Sequence, residues 1–368
     1  MKPLICIDMR MKNNSGIGRY ITNIVDFVIR DMQNVEFCLL GDNDSLYQYK
    51  DFANVTIIKC SSKIYSISEQ IEIIRKIPKN TLLFWSPHYN IPLFYRGNLL
   101  VTIHDLFHIS MKEYVKGFIK KTYAKVMFKM ISKKANKIMV VSKFTKAELM
   151  KFVSYKKEDI IITYNGVDQT WFHSEAKPVD NPPYLLYVGN IKPHKNLIKL
   201  IEGFEIIKHK IPHNLIIVGK KDGFITGDSR VNEFASKNIN RIQFTGYVTD
   251  KELNKLFNNA DIFVFPSLYE GFGLPPLEAM AKGIPVAASN IPPIKEICGD
   301  NAIYFNPYDE YSIARSIYKL INNQDLKEKL SIEGKIHAAE FTWAKSAIIT
   351  EKVIADILLK SPIDGTSM

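Results

Sequence analysis

Short apolar runs alternate with longer amphipathic stretches along almost the whole chain. In the first half the runs Leu4–Asp8, Glu36–Leu40, Val55–Ile58, Leu82–Trp85, Leu99–Ile103, Lys137–Val141 and Ile160–Thr163 predict strands. Helices fill most of the intervals, notably Arg19–Met32 and the long stretch Met111–Ala135. A polar, proline-bearing stretch from Ser174 to Pro183 reads as a linker. A second series follows, with strands predicted at Tyr184–Val188, Leu215–Val218, Ile242–Phe244, Asp261–Phe265, Pro285–Ala288 and Ala302–Phe305, then helical sequence from Tyr311 to about Leu359. This is the βα alternation of parallel sheets. The 368 residues are too many for one ordinary core and suit two domains. The expected fold is therefore α/β, with two Rossmann-like, doubly wound domains over 1–175 and 176–345 and a closing helical segment, 346–368.

Doubly wound sheets bind ligands at the carboxyl ends of their strands. If those two edges face each other, the residues just after strand ends line a crevice, and four such places stand out. Ser15-Gly16-Ile17-Gly18-Arg19 lies between the first strand and the first helix. Gly16 and Gly18 there would let backbone N–H groups approach an anion, or simply make a tight turn. A dinucleotide fingerprint needs a third glycine where Ile21 stands, which disfavours hydride transfer. His104, in Thr102-Ile103-His104-Asp105, ends an apolar strand. It could bond a sugar hydroxyl or stabilise charge, with a packed loop histidine as the alternative. His88, after the preceding strand, is a weaker candidate.

The third place is Gly189-Asn190-Ile191-Lys192-Pro193-His194-Lys195-Asn196, where Lys195 near a helix start could neutralise a diphosphate; Lys192 reads as a solvated surface residue. The fourth is the most specific. In Tyr269-Glu270-Gly271-Phe272-Gly273-Leu274-Pro275-Pro276-Leu277-Glu278, a strand ends in a glycine-bearing loop and the two prolines start a helix that Gly283 stops. Glu270 falls in the loop and Glu278 in the first helical turn, so the two would grip different parts of one ligand. The N–H groups of Phe272, Gly273 and Leu274 point toward the same space. Glu278 could instead serve only as an acid favoured by the helix dipole.

Composition changes this picture in three ways. An apolar content of 46% with 24% charged residues is that of a globular protein, and no run reaches the ~18 apolar residues of a membrane span. Cys6, Cys38, Cys60 and Cys298 are scattered without metal-ligand spacing, which suits reduced thiols in a cytoplasmic protein. Charge is uneven: residues 1–175 carry 26 Lys and Arg against 16 Asp and Glu, whereas residues 176–368 carry 23 against 22. Nine of those lysines lie in residues 112–137, interleaved with Tyr114, Phe118, Tyr123, Met127, Phe128 and Met130. Such a helix suits an anionic membrane surface, as well as an ordinary Rossmann helix with solvated lysines. Nothing points to nucleic acid as a partner. Asp42-Asn43-Asp44 has the form of a metal-nucleotide motif but the composition of a turn, so no metal is expected.

Glu270 and Glu278 with the residues between them resemble the E-x7-E signature of retaining GT-B glycosyltransferases of family four, which includes many mannosyltransferases. The resemblance covers nearly the whole chain. Ile7-Asp8 with the Gly16 loop is similar to the family's N-terminal glycine loop, and Thr102 to Leu106 to its histidine motif. Val141 to Thr145 and Asn165-Gly166-Val167-Asp168 are similar to later landmarks, and Gly246-Tyr247-Val248 to its base-binding turn. Phe341-Thr342-Trp343 precedes the family's last helix, which typically crosses back to the N-terminal domain. The resemblance implies a metal-independent, retaining hexosyltransferase of polysaccharide or lipopolysaccharide biosynthesis, with a nucleotide-diphosphate sugar, GDP-mannose first, as donor and a saccharide or lipid-linked saccharide as acceptor.

It also assigns roles. Glu270 would hold donor sugar hydroxyls, Glu278 the ribose and Lys195 the diphosphate, with Gly16 approaching from the N-terminal domain and His104 near the transferred sugar. Tyr247 and Val248 would meet the base. Many members carry Arg where this chain has Asn190 or His194, which leaves the diphosphate charge mainly on Lys195. The implied step is front-side substitution at the anomeric carbon, with no covalent enzyme nucleophile. The alternatives are a sugar-nucleotide epimerase on the same fold, a polyglucan synthase, use of UDP- or dTDP-sugars, and a non-enzymatic binding module.

Overall fold

The computed structural model describes residues 2–115, 117–173, 182–219 and 241–360. The chain divides into two compact units, Met1–Gly166 with Trp343–Met368, and Val167–Thr342. In the first, seven parallel strands, β1 (Leu4–Asp8), β2 (Glu36–Gly41), β3 (Val55–Lys59), β4 (Thr81–Ser86), β5 (Asn98–Ile103), β6 (Lys137–Val140) and β7 (Ile160–Ile162), lie in the order 3-2-1-4-5-6-7. Ile5, Cys6 and Ile7 of β1 are fully buried because helices cover both faces of the sheet, which is why this strand reads as a continuous apolar run.

Within its N-terminal stretch the described helices of this unit are α1 (Ser15–Asp31), α2 (Ile67–Lys76), the single turn α3 (Phe107–Ser110), α4 (Phe118–Lys134) and α5 (Lys143–Phe152). Tyr20, Ile21, Ile24, Val25, Val28 and Ile29 of α1 are buried at helical spacing and form its core-facing stripe. Ser66 caps α2 by accepting the Glu69 N–H at 3.2 Å, and Ser142 caps α5 by accepting that of Thr145 at 2.9 Å. In α4 the stripe Ala124, Met127, Phe128 and Ile131 enters the core.

In the second unit six parallel strands, β8 (Tyr184–Val188), β9 (Asn214–Val218), β10 (Ile242–Gly246), β11 (Ile262–Phe265), β12 (Val286–Ser289) and β13 (Ala302–Phe305), lie in the order 10-9-8-11-12-13. Its described helices are α6 (Leu197–Ile207), α7 (Asp250–Asn259), α8 (Leu274–Ala281), α9 (Pro292–Cys298), α10 (Glu310–Ile321) and α11 (Gln324–Ala338). Leu200, Ile201 and Phe204 of α6 share one core with Ile313 and Ile317 of α10 and with Leu185 and Val264 of the sheet. Thr249 and Glu252 form a reciprocal capping box at the start of α7. The last helix, α12 (Trp343–Leu359), belongs to the first unit. Its Trp343 ring lies 6.4 Å from that of Tyr20 in α1, and the Ser346 hydroxyl donates to the Tyr164 carbonyl.

The crossings between units fall at Gly166/Val167 and Thr342/Trp343, whereas the sequence pattern places them at 175/176 and 345/346. Val167 N–H donates to the Phe341 carbonyl at 3.0 Å and Trp171 packs edge-on against Phe257 at 4.9 Å. These contacts hold residues the pattern leaves before the linker. Most of the linker stretch, 174–181, lies outside the described residues. All four cysteines are buried and unbridged.

Candidate functional site

In the second unit the chain runs from β8 outward through β9 and β10, then returns to the other side of β8 at β11. The gap between β8 and β11 is the topological switch point, where loops diverge and leave a crevice at the carboxyl ends. Lys195 follows β8 and Glu270 follows β11. The structure brings these residues, far apart in sequence, into an ion pair with Lys195 Nζ 2.6 Å from Glu270 Oε1. Their side chains keep 20% and 13% of their surface, so the pair is sheltered yet reachable. Lys195 Nζ also lies 5.9 Å from the centre of the Phe265 ring.

Backbone geometry fixes this pair. Pro193–Lys195 form a 3-10 turn, and Asn196 then adopts the left-handed conformation, φ 58°. Asn is one of the few side chains that tolerate this region. The buried Asn196 amide donates to the Pro266 carbonyl at 3.0 Å and the Pro307 carbonyl at 2.7 Å, stapling three loops together. Leu268 N–H donates to the His194 carbonyl at 2.8 Å, so the loop bearing Glu270 hangs on the loop bearing Lys195. Beneath them Tyr187 is fully buried; burial first, and the negative charge of Glu270 second, hold its phenol well above the usual range. The Tyr187 hydroxyl donates to the Asn190 carbonyl at 3.4 Å.

Helix α8 starts beside Glu270. Gly273, its N-cap, has φ +116°, a backbone conformation that demands glycine, and a Cβ there would also press on Ile294 Cδ1, 2.7 Å away. Pro275 and Pro276 in the first turn have no N–H, which removes two of the four donors a helix start normally offers. Anion contact at this end therefore falls on the N–H groups nearest Gly273 and Leu274. Glu278 is the fifth residue of α8 and so lies in its second turn, not the first as the sequence reading has it, because the helix begins at Leu274. Its side chain is buried. At the edge of the same sheet Gly246 ends β10 with φ +74° and is followed by Tyr247, which is 74% exposed.

In the first unit the switch point lies between β1 and β4. Asp8 ends β1, and Arg10 Nε and Nη2 grip its two carboxylate oxygens at 2.8 and 2.6 Å. Arg10 Nη2 also donates to Glu69 Oε1 at 2.5 Å, and Asn90 Nδ2 donates to the same oxygen at 2.6 Å. His88 Nδ1 accepts the Asn90 N–H at 3.2 Å, which places the His88 proton on Nε2, facing Asp8 Oδ2 at 3.1 Å. Burial works against the Asp8 charge, yet Arg10 and His88 overcome it and hold the carboxyl far below the usual range. His88 is thus absorbed by a buried network.

His104, after β5, is placed differently. Its Nε2 donates to the Pro87 carbonyl at 2.8 Å and its ring meets Tyr20 edge-on at 4.8 Å. Some of its surface stays open, but burial pushes its pKa down to about 4, with the Pro87 bond and Asp105 offsetting only part. The ring is therefore neutral at pH 7 with the proton on Nε2, which leaves Nδ1 as an acceptor for a hydroxyl. Helix α1 begins at Ser15, so Gly16 and Gly18 lie in its first turn and not in a preceding loop. A Cβ at Gly18 would stand 2.1 Å from the Lys12 carbonyl oxygen, and the Gly18 N–H is taken by Asn14; close packing accounts for this glycine. A Cβ at Gly16 would meet nothing within 4 Å. Asp42 Oδ2 accepts the Ser45 N–H at 3.2 Å in a side-chain turn. Among the described residues no three His, Cys, Asp or Glu side chains gather as metal ligands would.

Residues 14–171 match the family described as Glycosyltransferase Family 4, and residues 168–337 the one described as Glycosyl transferases group 1. The O-antigen chain mannosyltransferase RfbU of Salmonella typhimurium is 34% identical over 250 residues, 68% of this chain and 67% of that one. The chain belongs to glycosyltransferase family 4. The O-antigen chain mannosyltransferase B of Escherichia coli is 28% identical over 69% of this glycosyltransferase and 70% of its own length. Among solved structures, a sucrose-phosphate synthase from Thermosynechococcus elongatus superposes with a TM-score of 0.79 at 18% identity, covering 98% of this chain and all of that one. Anabaena HepE, solved with UDP and glucose, does so with a TM-score of 0.76 at 15% identity, covering 96% and 100%. These likenesses establish a GT-B glycosyltransferase fold.

The loop-stapling role of Asn196, the buried Tyr187 and the Asp8–Arg10–Glu69–Asn90 network of this glycosyltransferase emerge only in the structure. Asp8 at a strand end followed by Arg10 was a readable signal. Glu69 carried none, since an acid in an amphipathic helix looks solvated until the fold buries it.

Proposed function

We propose that the protein is a retaining hexosyltransferase that uses a nucleotide-diphosphate sugar, GDP-mannose first, and passes the sugar to a saccharide or lipid-linked saccharide. The observation that carries this reading is the Lys195–Glu270 pair at the switch point of the second unit, beside the start of α8. A cation and an acid held together there suit a ligand with adjacent anionic and hydroxyl-rich parts. Lys195 would move its charge toward the leaving diphosphate as the glycosidic bond lengthens, a preorganised electrostatic role. Glu270, released from Lys195, would accept hydrogen bonds from sugar hydroxyls. In the first unit, His104 Nδ1 would accept a hydrogen bond from a substrate hydroxyl. The diphosphate takes the acceptor proton as it leaves. The choice of mannose is supported by two relatives named as O-antigen chain mannosyltransferases.

Two further parts belong to the same reading. The site chemistry needs no metal, because Lys195 and the α8 terminus supply the positive potential. The enzyme would work in the cytoplasm, peripherally on an anionic membrane surface. In support of the latter, Lys120, Lys125, Lys129 and Lys133 of α4 are all exposed and no acid interrupts the helix. Lys137 is excluded from that surface, since it pairs with Asp159 at 2.5 Å, and Lys116 lies outside the described residues. No described helix is long and apolar enough to cross a membrane.

The test is a thermal-shift screen of GDP-, UDP-, dTDP- and ADP-sugars followed by product analysis with the stabilising donor. A ligand at 100 Kd that binds only the native state stabilises it by about 2.7 kcal/mol. Stabilisation by GDP-mannose and an acceptor-dependent product of retained configuration are expected. Interconversion of the sugar nucleotide without acceptor would establish an epimerase instead, and stabilisation by another nucleotide alone would reassign the donor.

A further inference from the structure

The loop between β3 and α2 contains a residue in an unusual backbone conformation. Tyr65 has φ +68°, a region that a bulky aromatic rarely enters. It is nevertheless held there firmly, because Glu69 Oε2 accepts its N–H at 2.7 Å. Glu69 itself is immobilised: its side chain is fully buried and its other oxygen takes Arg10 and Asn90. The buried network at the switch point of the first unit thus fixes the backbone of one surface tyrosine.

That tyrosine sits on an aromatic base. Its ring stacks on Tyr89 with centres 5.9 Å apart and 28° between planes, and it meets Tyr123 edge-on at 5.8 Å. Tyr89 in turn stacks on Phe128 at 5.1 Å, and its hydroxyl lies 3.4 Å from His108 Nδ1. The Tyr123 hydroxyl donates to Asn90 Oδ1, so the base is tied to the same network. Despite these contacts 46% of Tyr65 remains exposed. Tyr65 comes after β3, Tyr89 after β4 and Asp105 after β5, while Tyr123 and Phe128 belong to α4. Asp105 is close enough for its negative charge to contribute to raising both the Tyr65 and Tyr89 phenols, after burial.

A half-exposed aromatic ring backed by two further phenols, with a carboxylate near enough for its charge to be felt, is what a pyranose needs. One face of the sugar presents C–H bonds, slightly positive, that settle on the negative face of an aromatic ring, while its rim of hydroxyls needs donors and acceptors. A lipid chain would find the ring but waste the polar rim. We infer that Tyr65, held in its left-handed conformation by Glu69 and supported by Tyr89 and Tyr123, is the stacking platform for the acceptor sugar. This rests on the reading of the protein as a sugar transferase. It assigns Tyr65 to acceptor affinity and Glu69 to positioning, neither of them to the reacting atoms.

The experiment is saturation-transfer NMR with the methyl pyranosides of mannose, glucose, galactose and N-acetylglucosamine as probes. It would use the full-length protein and its Tyr65→Phe, Tyr65→Ala and Tyr65→Asn variants, the last because Asn tolerates left-handed backbone and preserves the loop. At least one glycoside should receive saturation from the parent protein, strongest on the protons of one ring face. Tyr65→Phe should retain that binding, and Tyr65→Ala and Tyr65→Asn should weaken it about fivefold or more. Stabilisation by the nucleotide sugar, measured on the same samples, should stay at the parent level in all three. Absence of transfer to every glycoside, or equal binding by the parent and Tyr65→Asn, would overturn the assignment. Loss of nucleotide-sugar stabilisation in the parent itself would instead count against the transferase reading, so the two failures are separable.

Discussion

Replacing Lys195 by Ala tests whether the ion pair at the second switch point serves catalysis or the fold. At 2.6 Å and an effective dielectric near 20, the attraction between the two charges is ~6 kcal/mol. Sheltering two ions costs several kcal/mol each, so the pair contributes little net stability. The Glu270 left behind keeps 13% of its surface and can recruit water, which limits the damage further. A loss of about 1 kcal/mol is expected, a Tm fall of about 2–4 °C in a unit of this size. Activity should respond quite differently. On the proposed mechanism the leaving diphosphate gains charge in the transition state, and removing a preorganised partner of developing charge typically costs about 2.7–4 kcal/mol, or roughly 10²–10³ in turnover. Glu270→Gln, which keeps a hydrogen-bond acceptor but no charge, should lose less turnover than Lys195→Ala and little stability. The assay is acceptor-dependent release of nucleoside diphosphate, beside a thermal melt and circular dichroism. A folded Lys195→Ala protein that turns over within about threefold of the parent would refute the reasoning. So would a melting point lowered enough to explain the lost activity by unfolding.

Other outcomes follow from the same structure. His104, pushed down to about 4 by burial, binds no proton in the native state between that value and about 6.5, where the unfolded chain does. Stability should therefore fall by about 2–3 kcal/mol as pH drops through that window, less steeply in His104→Asn, and an imidazole NMR titration with a midpoint near 6.5 would contradict this. Asp261 is held down at about 2 by hydrogen bonds from His213 at 2.8 Å and Lys327 at 2.7 Å, which outweigh its burial. Its contribution of about 2 kcal/mol should be present above pH ~3.8 and disappear as pH falls toward 2; Lys327→Met should flatten that acid dependence, visible in urea melts at pH 3 and 5. Transfer should survive EDTA, and abolition with rescue by Mn²⁺ or Mg²⁺ would return Asp42 and Asp44 to consideration. Replacing Lys120, Lys125, Lys129 and Lys133 by Glu should remove salt-sensitive co-sedimentation with anionic vesicles; equal binding of parent and variant would dismiss α4 as the docking surface.

Much of this molecule is settled by local rules that a single chain carries with it. Central strands buried on both faces are continuous apolar runs, and even the part-exposed edge strands β3 and β10 keep apolar residues, so β1 through β13 were all readable from the pattern, within a residue or two at each end. The stop of α8 was legible because Gly283, φ +72°, is the residue type a left-handed exit demands. Lys195, Glu270 and His104 could be picked out because residues after strand ends of a doubly wound sheet face its ligand edge. What the pattern could not supply was partnership. That Lys195 meets Glu270, that Asn196 staples three loops, and that Glu69 leaves the solvated face of a helix to hold Arg10, Asn90 and the strained Tyr65 depend on which strands lie side by side. Strand order is fixed by the packing of whole layers, over sequence separations at which local propensity carries no information. The same holds for the crossings at Gly166 and Trp343: local composition shows a polar stretch further on, but the hydrogen bond from Val167 to Phe341 exists only once both ends of the second unit have folded together.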